Sequence, residues 1–145
     1  MTSIDSESLF AALRSQMNDH PERFAPLGEA EMTCGVVMRR QGGDAVFLLE
    51  FNGIQCTKAA TAAAKEIDRA DFTLDGPVEE WRGMFADIVE HGRATGLWTL
   101  NSLALLADRI QLGGTDPMGL DRFSRFNQTL QEFFDGAARV AAPVA

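Results

Sequence analysis

The chain is 145 residues long, 46% hydrophobic, with a net charge of −8 and two cysteines; it is long enough to bury a core without disulfides or a metal. Its sequence pI near 4.7 excludes a nucleic-acid partner, because phosphate binding draws on clustered Lys and Arg. No run reaches the roughly 18 apolar residues of a spanning helix, which excludes stable membrane insertion, and the polar, acidic start Thr2 to Ser8 is neither a secretory signal nor a transit peptide.

These totals point to a single cytoplasmic domain, 1–145, made of an N-terminal helix 5–18, a core 30–138 and a short tail 139–145. The helix places Leu9, Phe10, Leu13 and Met17 on one face. Ser6 or Ser8 caps it, and His20-Pro21 stops it. After a loop through Pro26 and Gly28, a three-stranded meander is predicted over Met32 to Arg40, Ala45 to Asn52 and Gly53 to Lys58. Gly42-Gly43 and Asn52-Gly53 read as two-residue hairpin loops, which pairs Val36 with Leu49 and Leu49 with Cys56. One face then collects Cys34, Val36, Met38, Phe47, Leu49, Phe51, Ile54 and Cys56, and the other carries Arg39, Glu50, Gln55 and Thr57. A sheet with one apolar face must be covered by helices on that side. Cys34 and Cys56 fall two strands apart, at least about 9 Å, beyond the reach of a disulfide.

Ala59 to Ala64 reads as a loop or a short helical turn. Ala70 to Leu74 alternates as a fourth strand, and Asp75-Gly76-Pro77 leads into a helix with Val78, Trp81, Met84, Phe85 and Ile88 inward and Glu79, Glu80, Arg82 and Asp87 outward. His91-Gly92 ends it. Leu97 to Asp108 reads as a shorter apolar helix, and Arg109 to Leu112 as a last strand. Asp116-Pro117 then opens a helix whose Leu120, Phe123, Phe126, Leu130, Phe133, Phe134 and Ala137 recur at steps of three and four, with Asp121, Arg125, Gln128 and Glu132 turned away. The sum is an α/β (α+β) fold: an about five-stranded, mixed, mostly antiparallel sheet covered on one face by helices.

Reactive groups are few. Asp87 and His91, one helical turn apart, read as a surface pair favoured by the helix dipole rather than as an acid and base. His20 has no partner nearby, and two His and two Cys at no ligand spacing argue against a metal site. Gly113-Gly114-Thr115 resembles a phosphate cradle, but Asp116 at the helix N-cap would repel an anion and no Lys follows. Many rings and few reactive groups favour holding an apolar molecule over transforming one.

Two stretches resemble the sterol carrier protein 2 family. Ala70-Asp71-Phe72-Thr73-Leu74-Asp75-Gly76-Pro77-Val78-Glu79-Glu80-Trp81 looks like that family's alanine–aspartate–x–threonine strand running into a helix. Arg109-Ile110-Gln111-Leu112-Gly113-Gly114-Thr115-Asp116 looks like its last strand before the closing helix. With the preceding strands the likeness covers most of residues 30 to 135. It implies helices packed on a sheet around an apolar tunnel for sterols, acyl chains or acyl-CoA, with no catalytic set.

The expected function is therefore a non-catalytic carrier of an apolar small molecule (sterol, fatty acid or acyl-CoA) in an internal cavity, needing no cofactor and no metal. The expected ligand-binding residues are Trp81, Phe85, Trp98, Leu106, Met118, Phe123, Phe126 and Leu130. The alternatives are a small-substrate isomerase or hydratase using Asp71, Asp87 or His91, and a homodimeric structural or interaction domain with a filled core. A cavity-lining carboxylate or His with a shifted pKa distinguishes the enzyme; a large apolar isologous interface distinguishes the homodimer.

Overall fold

The computed structural model describes residues 2–145. Helix α1 (Glu7–Asp19) starts where the Ser6 side chain accepts the Leu9 N–H. Three strands follow, β1 (Ala30–Arg39), β2 (Ala45–Gly53) and β3 (Gln55–Thr61), then a short helix α2 (Ala64–Ile67), strand β4 (Phe72–Pro77) and helix α3 (Val78–His91). Strand β5 (Gln111–Gly113) and the long helix α4 (Pro117–Asp135) complete the order. The sheet runs β3-β2-β1-β4-β5. Only the β1–β4 pairing is parallel; the other three are antiparallel. This is the mixed, mostly antiparallel five-stranded sheet expected from the alternating patterns.

The two hairpins fold at the expected places with registers displaced by two. Val36 pairs with Phe47 rather than Leu49, and Cys56 pairs with Phe51 rather than Leu49. Turn geometry explains the second hairpin. Gly53 adopts φ +69 and stands first in a two-residue loop between Asn52 and Gln55, the place a type II′ turn reserves for glycine. The β-branched Ile54 follows it. A shift of two leaves every side chain on its own face, because the strand period is two. The apolar face survives: Cys34, Val36, Met38, Phe47, Leu49, Phe51 and Cys56 are all buried, while Ile54, expected with them, lies in the turn and is half-buried against the core. Both cysteines are free, with β2 between their strands.

Helices α1, α3 and α4 cover that face, and the main core gathers α1's Leu9, Phe10, Leu13 and Met17 with the rings of α3 and α4. Helix α1 is also fastened to the β3 edge. Asn18 accepts the Cys56 N–H at 2.8 Å and donates to its carbonyl at 2.9 Å, and Arg14 Nε donates to the same carbonyl. Those bonds occupy backbone groups that an edge strand otherwise leaves open. The opposite face carries a small second cluster, Val37, Leu48 and Ile67, with Val46, Ala62 and Ala70 packed against it. Ile67 sits so close to the sheet that a Cβ at Gly35 would come within 2.8 Å of its own Cβ. The undecided Ala-rich link is thus an extension of β3 to Thr61 followed by α2.

The predicted helix over Leu97 to Asp108 forms only in part. Gly96–Trp98 makes one tight turn, Thr99 is extended, and residues 100–106 are helical, widening over Ser102–Leu106 so that the Ala107 N–H reaches the Ser102 carbonyl. Thr99 caps this segment, its Oγ1 accepting the Ser102 N–H, and Ser102 Oγ donates to the Gly96 carbonyl.

Candidate functional site

The apolar interior between sheet and helices is built around Phe134. Its ring lies 5.8 Å from those of Trp81 and Phe85, 5.5 Å from Phe133 and 6.3 Å from Phe10. Phe10 stacks on Phe47 at 4.1 Å, and Phe72 meets Phe123 edge-on at 5.4 Å. Apart from the closely stacked Phe10–Phe47 pair, these are the centroid separations of 4.5–7 Å with tilted or edge-to-face planes that aromatic pairs favour.

The eight residues expected to line a cavity fall into three groups. Trp81, Phe85, Phe123 and Leu130 are fully buried in the main core. Trp81 Nε1 also donates to the Val37 carbonyl at 3.2 Å, satisfying the one polar group the indole carries inside. Phe126 and Trp98 are half-buried and packed against that core. The Arg125 guanidinium lies 5.1 Å from the Phe126 ring centre. Trp98 lies between Gly83, where a Cβ would come within 2.3 Å of the indole, and the Arg109 guanidinium, 4.5 Å from the ring centre. Arg109 also donates to the Leu97 carbonyl and pairs with Glu80 at 3.3 Å. Leu106 and Met118 do not face the interior: they are 78% and 74% exposed. Leu106 ends the wide 102–106 turn, and Met118 lies in the first α4 turn, where Gly119 and Leu120 are the residues turned inward.

Three surface clefts stand out, and none is lined by any of the eight. One, of about 440 Å³, lies beside α2 on the outer sheet face. A second runs between α1 and Ala59, and the third lies around Arg39, Asp75 and Arg109.

The titratable groups nearest the core hold loops in place. Asp87, expected on the surface, is buried. It accepts the Thr95 N–H at 2.6 Å and the Thr95 hydroxyl at 3.0 Å, with His91 Nδ1 3.0 Å away. The turn after α3 folds back over its last residues, which is why a position on the polar side of the helix wheel is covered. Asp71 ties the start of β4 to β1 through Thr33 and pairs with Arg122 at 3.0 Å. Gly119 makes room for this: a Cβ there would lie 2.2 Å from the Asp71 carbonyl oxygen.

Sequence reasoning missed Asp135. It is 5% exposed, and its Oδ1 accepts both the Ala94 N–H and Gln131 Nε2 at 3.1 Å. Burial pushes its carboxyl up to about 6, against the lowering effect of those two bonds. Gln131 in turn accepts the Leu100 N–H at 2.7 Å. Asp87, Asp135 and Gln131 thus tether the 94–100 stretch at three points. Burial also raises both thiols, Cys56 to about 12 and Cys34 further, so neither is a thiolate near neutral pH. Among the described residues, no three His, Cys, Asp or Glu side chains cluster in a way that could hold a metal ion, and no helix is long and apolar enough to cross a membrane.

The same architecture occurs in solved structures. A crystal structure of sterol carrier protein 2 matches at a TM-score of 0.70 with 17% identity, covering 94% of this chain and 98% of that one. A solution structure of a conserved hypothetical protein from Thermus thermophilus, described as a candidate sterol carrier protein, matches at 0.50 with 19% identity over 87% of this chain and 82% of that one. No family model matches the sequence, and no match was found among curated proteins. The chain has the sterol carrier protein 2 fold, as the two sequence stretches implied.

Proposed function

We propose that the protein is a non-catalytic carrier for an apolar small molecule, of the sterol, fatty-acid or acyl-CoA class, held between the sheet and the ring-bearing helices. The observation that carries this reading is the correspondence of nearly the whole chain with the sterol carrier protein 2 fold, set around a core of rings. Binding would draw on burial of apolar surface, at about 25 cal/mol per Å². Trp81, Phe85, Phe123, Phe126 and Leu130 are its proposed contacts, with Trp98, Leu106 and Met118 at the mouth. Because the rings pack on one another, a ligand enters by parting them. The 94–108 stretch is the element to move, being held by the hydrogen bonds of Asp87, Asp135 and Gln131 and containing only short helical pieces, 96–98 and 100–106. Asp71 and Asp87 are engaged in local hydrogen bonds, which favours a carrier over an isomerase or hydratase.

The close ring packing supports a second reading, an interaction domain with a filled core that associates through exposed Leu97, Leu105, Leu106 and Met118. Native mass spectrometry of the purified chain, with titration of a fluorescent fatty acid, separates the two. Saturable binding near one per chain is expected for the carrier. No bound lipid, no titration and a dimeric mass would overturn it in favour of the second reading.

A further inference from the structure

The cleft of about 440 Å³ beside α2 lies on the sheet face opposite the ring cluster, within the 300–1,000 Å³ range of small-molecule sites. Its floor is Thr33, Leu48 and Glu50, and its wall is Lys65, Glu66, Arg69 and Ala70. The charges are unevenly committed. Glu66 accepts the Ala63 N–H at 3.0 Å and so serves to cap α2. Lys65 and Arg69 enter no ion pair among the described residues, and neither does Glu50, although Lys58 stands across from it on β3. The cleft therefore offers two cations without an ion-pair partner on its wall, Lys65 and Arg69, and one such carboxylate, Glu50, on its floor. Its apolar part is Leu48, buried in the outer cluster, with Ala70 packed against that cluster.

From this arrangement we propose that the cleft binds a compact zwitterion with an aliphatic body, the chemistry of a free aliphatic amino acid. Its carboxylate meets Lys65 and Arg69, its ammonium meets Glu50, and its side chain lies on Leu48 and Ala70. A simple anion is disfavoured by Glu50, and a simple cation by the two opposing positive groups. The Thr33 hydroxyl, which accepts the Asp71 N–H at 2.8 Å, retains its own proton to donate. The site is separate from the interior proposed for the carrier, so the two stand or fall independently.

Isothermal titration of the full chain with leucine, 4-methylpentanoate and isoamylamine tests the proposal, since the last two keep the aliphatic body and lose one charge each. Saturable leucine binding is expected, at least about tenfold tighter than either single-charge analogue (about 1.4 kcal/mol). It is expected to weaken about tenfold or more in the Lys65→Gln/Arg69→Gln double variant and in Glu50→Gln. In Glu50→Gln the preference for leucine over 4-methylpentanoate should disappear. All three positions sit at or near the surface, and circular dichroism confirms that the variants fold. No saturable leucine binding by the parent chain overturns the proposal, as does binding unchanged in the double variant or equal affinity for 4-methylpentanoate. Leucine that displaced a fluorescent fatty acid would place it in the interior instead and would equally overturn it.

Discussion

Thr33 and Asp71 exchange hydrogen bonds across the parallel β1–β4 junction: the Asp71 carboxylate accepts the Thr33 N–H, and the Thr33 hydroxyl accepts the Asp71 N–H, both at 2.8 Å. The same carboxylate oxygen meets Arg122 Nη1 at 3.0 Å, so one side chain joins two strands and α4. Asp71→Ala leaves the Thr33 N–H and Arg122 without their acceptor. Bonds to a charged group contribute about 1.5–3 kcal/mol, and a loss of about 2–3 kcal/mol is expected in urea unfolding. Asp71→Asn, which keeps an acceptor, should lose less. Equal stability of the alanine variant and the parent would show that the junction holds without it.

Gly83→Ala carries a prediction with a change of sign. In an isolated helix the substitution favours folding by about 1 kcal/mol. Here the added methyl meets the Trp98 ring, so the variant should be destabilised by about 1–3 kcal/mol, with the ring displaced from Arg109. In a Trp98→Ala background the obstruction is gone, and Gly83→Ala should become stabilising. Urea midpoints of the four chains of this double-mutant cycle check it; additive effects would mean that the two residues do not touch.

Phe134→Ala should cost about 3–5 kcal/mol, the usual loss for a ring removed from a close-packed core. Phe126→Ala should cost clearly less, because that ring is only half-buried and partly covered by Arg125. The reverse order in urea melts would mean that Phe134 borders empty space.

The sequence made the sheet legible where local chemistry determines it. Glycine turns marked both hairpins, and alternation marked the inner face correctly through a two-residue error in register, since such an error moves no side chain across the sheet. The apolar stripes of α3 and α4 were legible for the same reason of period, and Trp81, Phe85, Phe123 and Leu130 are buried where those stripes put them. Long-range contact governed what was missed. Nothing in Leu97 to Asp108 announces that Trp98 seats on Gly83 of another helix, or that the helix begins only after Thr99 and widens over Ser102–Leu106. Asp87 and Asp135 share a position on the flank of an apolar stripe, which the helical wheel assigns to solvent. A loop covers each of them. The spacing of Gln131 and Asp135, one turn apart beside Phe134, was the one available hint of a polar network facing inward.

Asp135 should make stability rise as pH falls. Its carboxyl is raised to about 6 in the folded chain from about 3.9 when unfolded, so between those values the native state binds more protons than the unfolded state. Stability then increases as pH drops from about 7 toward 4, and the cost of the buried charge is fully present above pH 6. One pKa unit corresponds to about 1.4 kcal/mol, which puts this cost on the order of 3 kcal/mol. Asp135→Asn keeps an oxygen for the Ala94 N–H and for Gln131 Nε2 while removing the charge. It should be more stable than the parent at pH 8, by up to about that amount, and the advantage should vanish by pH 4. Urea midpoints of the two chains at half-unit steps of pH test this. Parallel pH profiles would show that Asp135 titrates alike in both states, and that its hydrogen bonds offset the burial that the 94–100 stretch imposes on it.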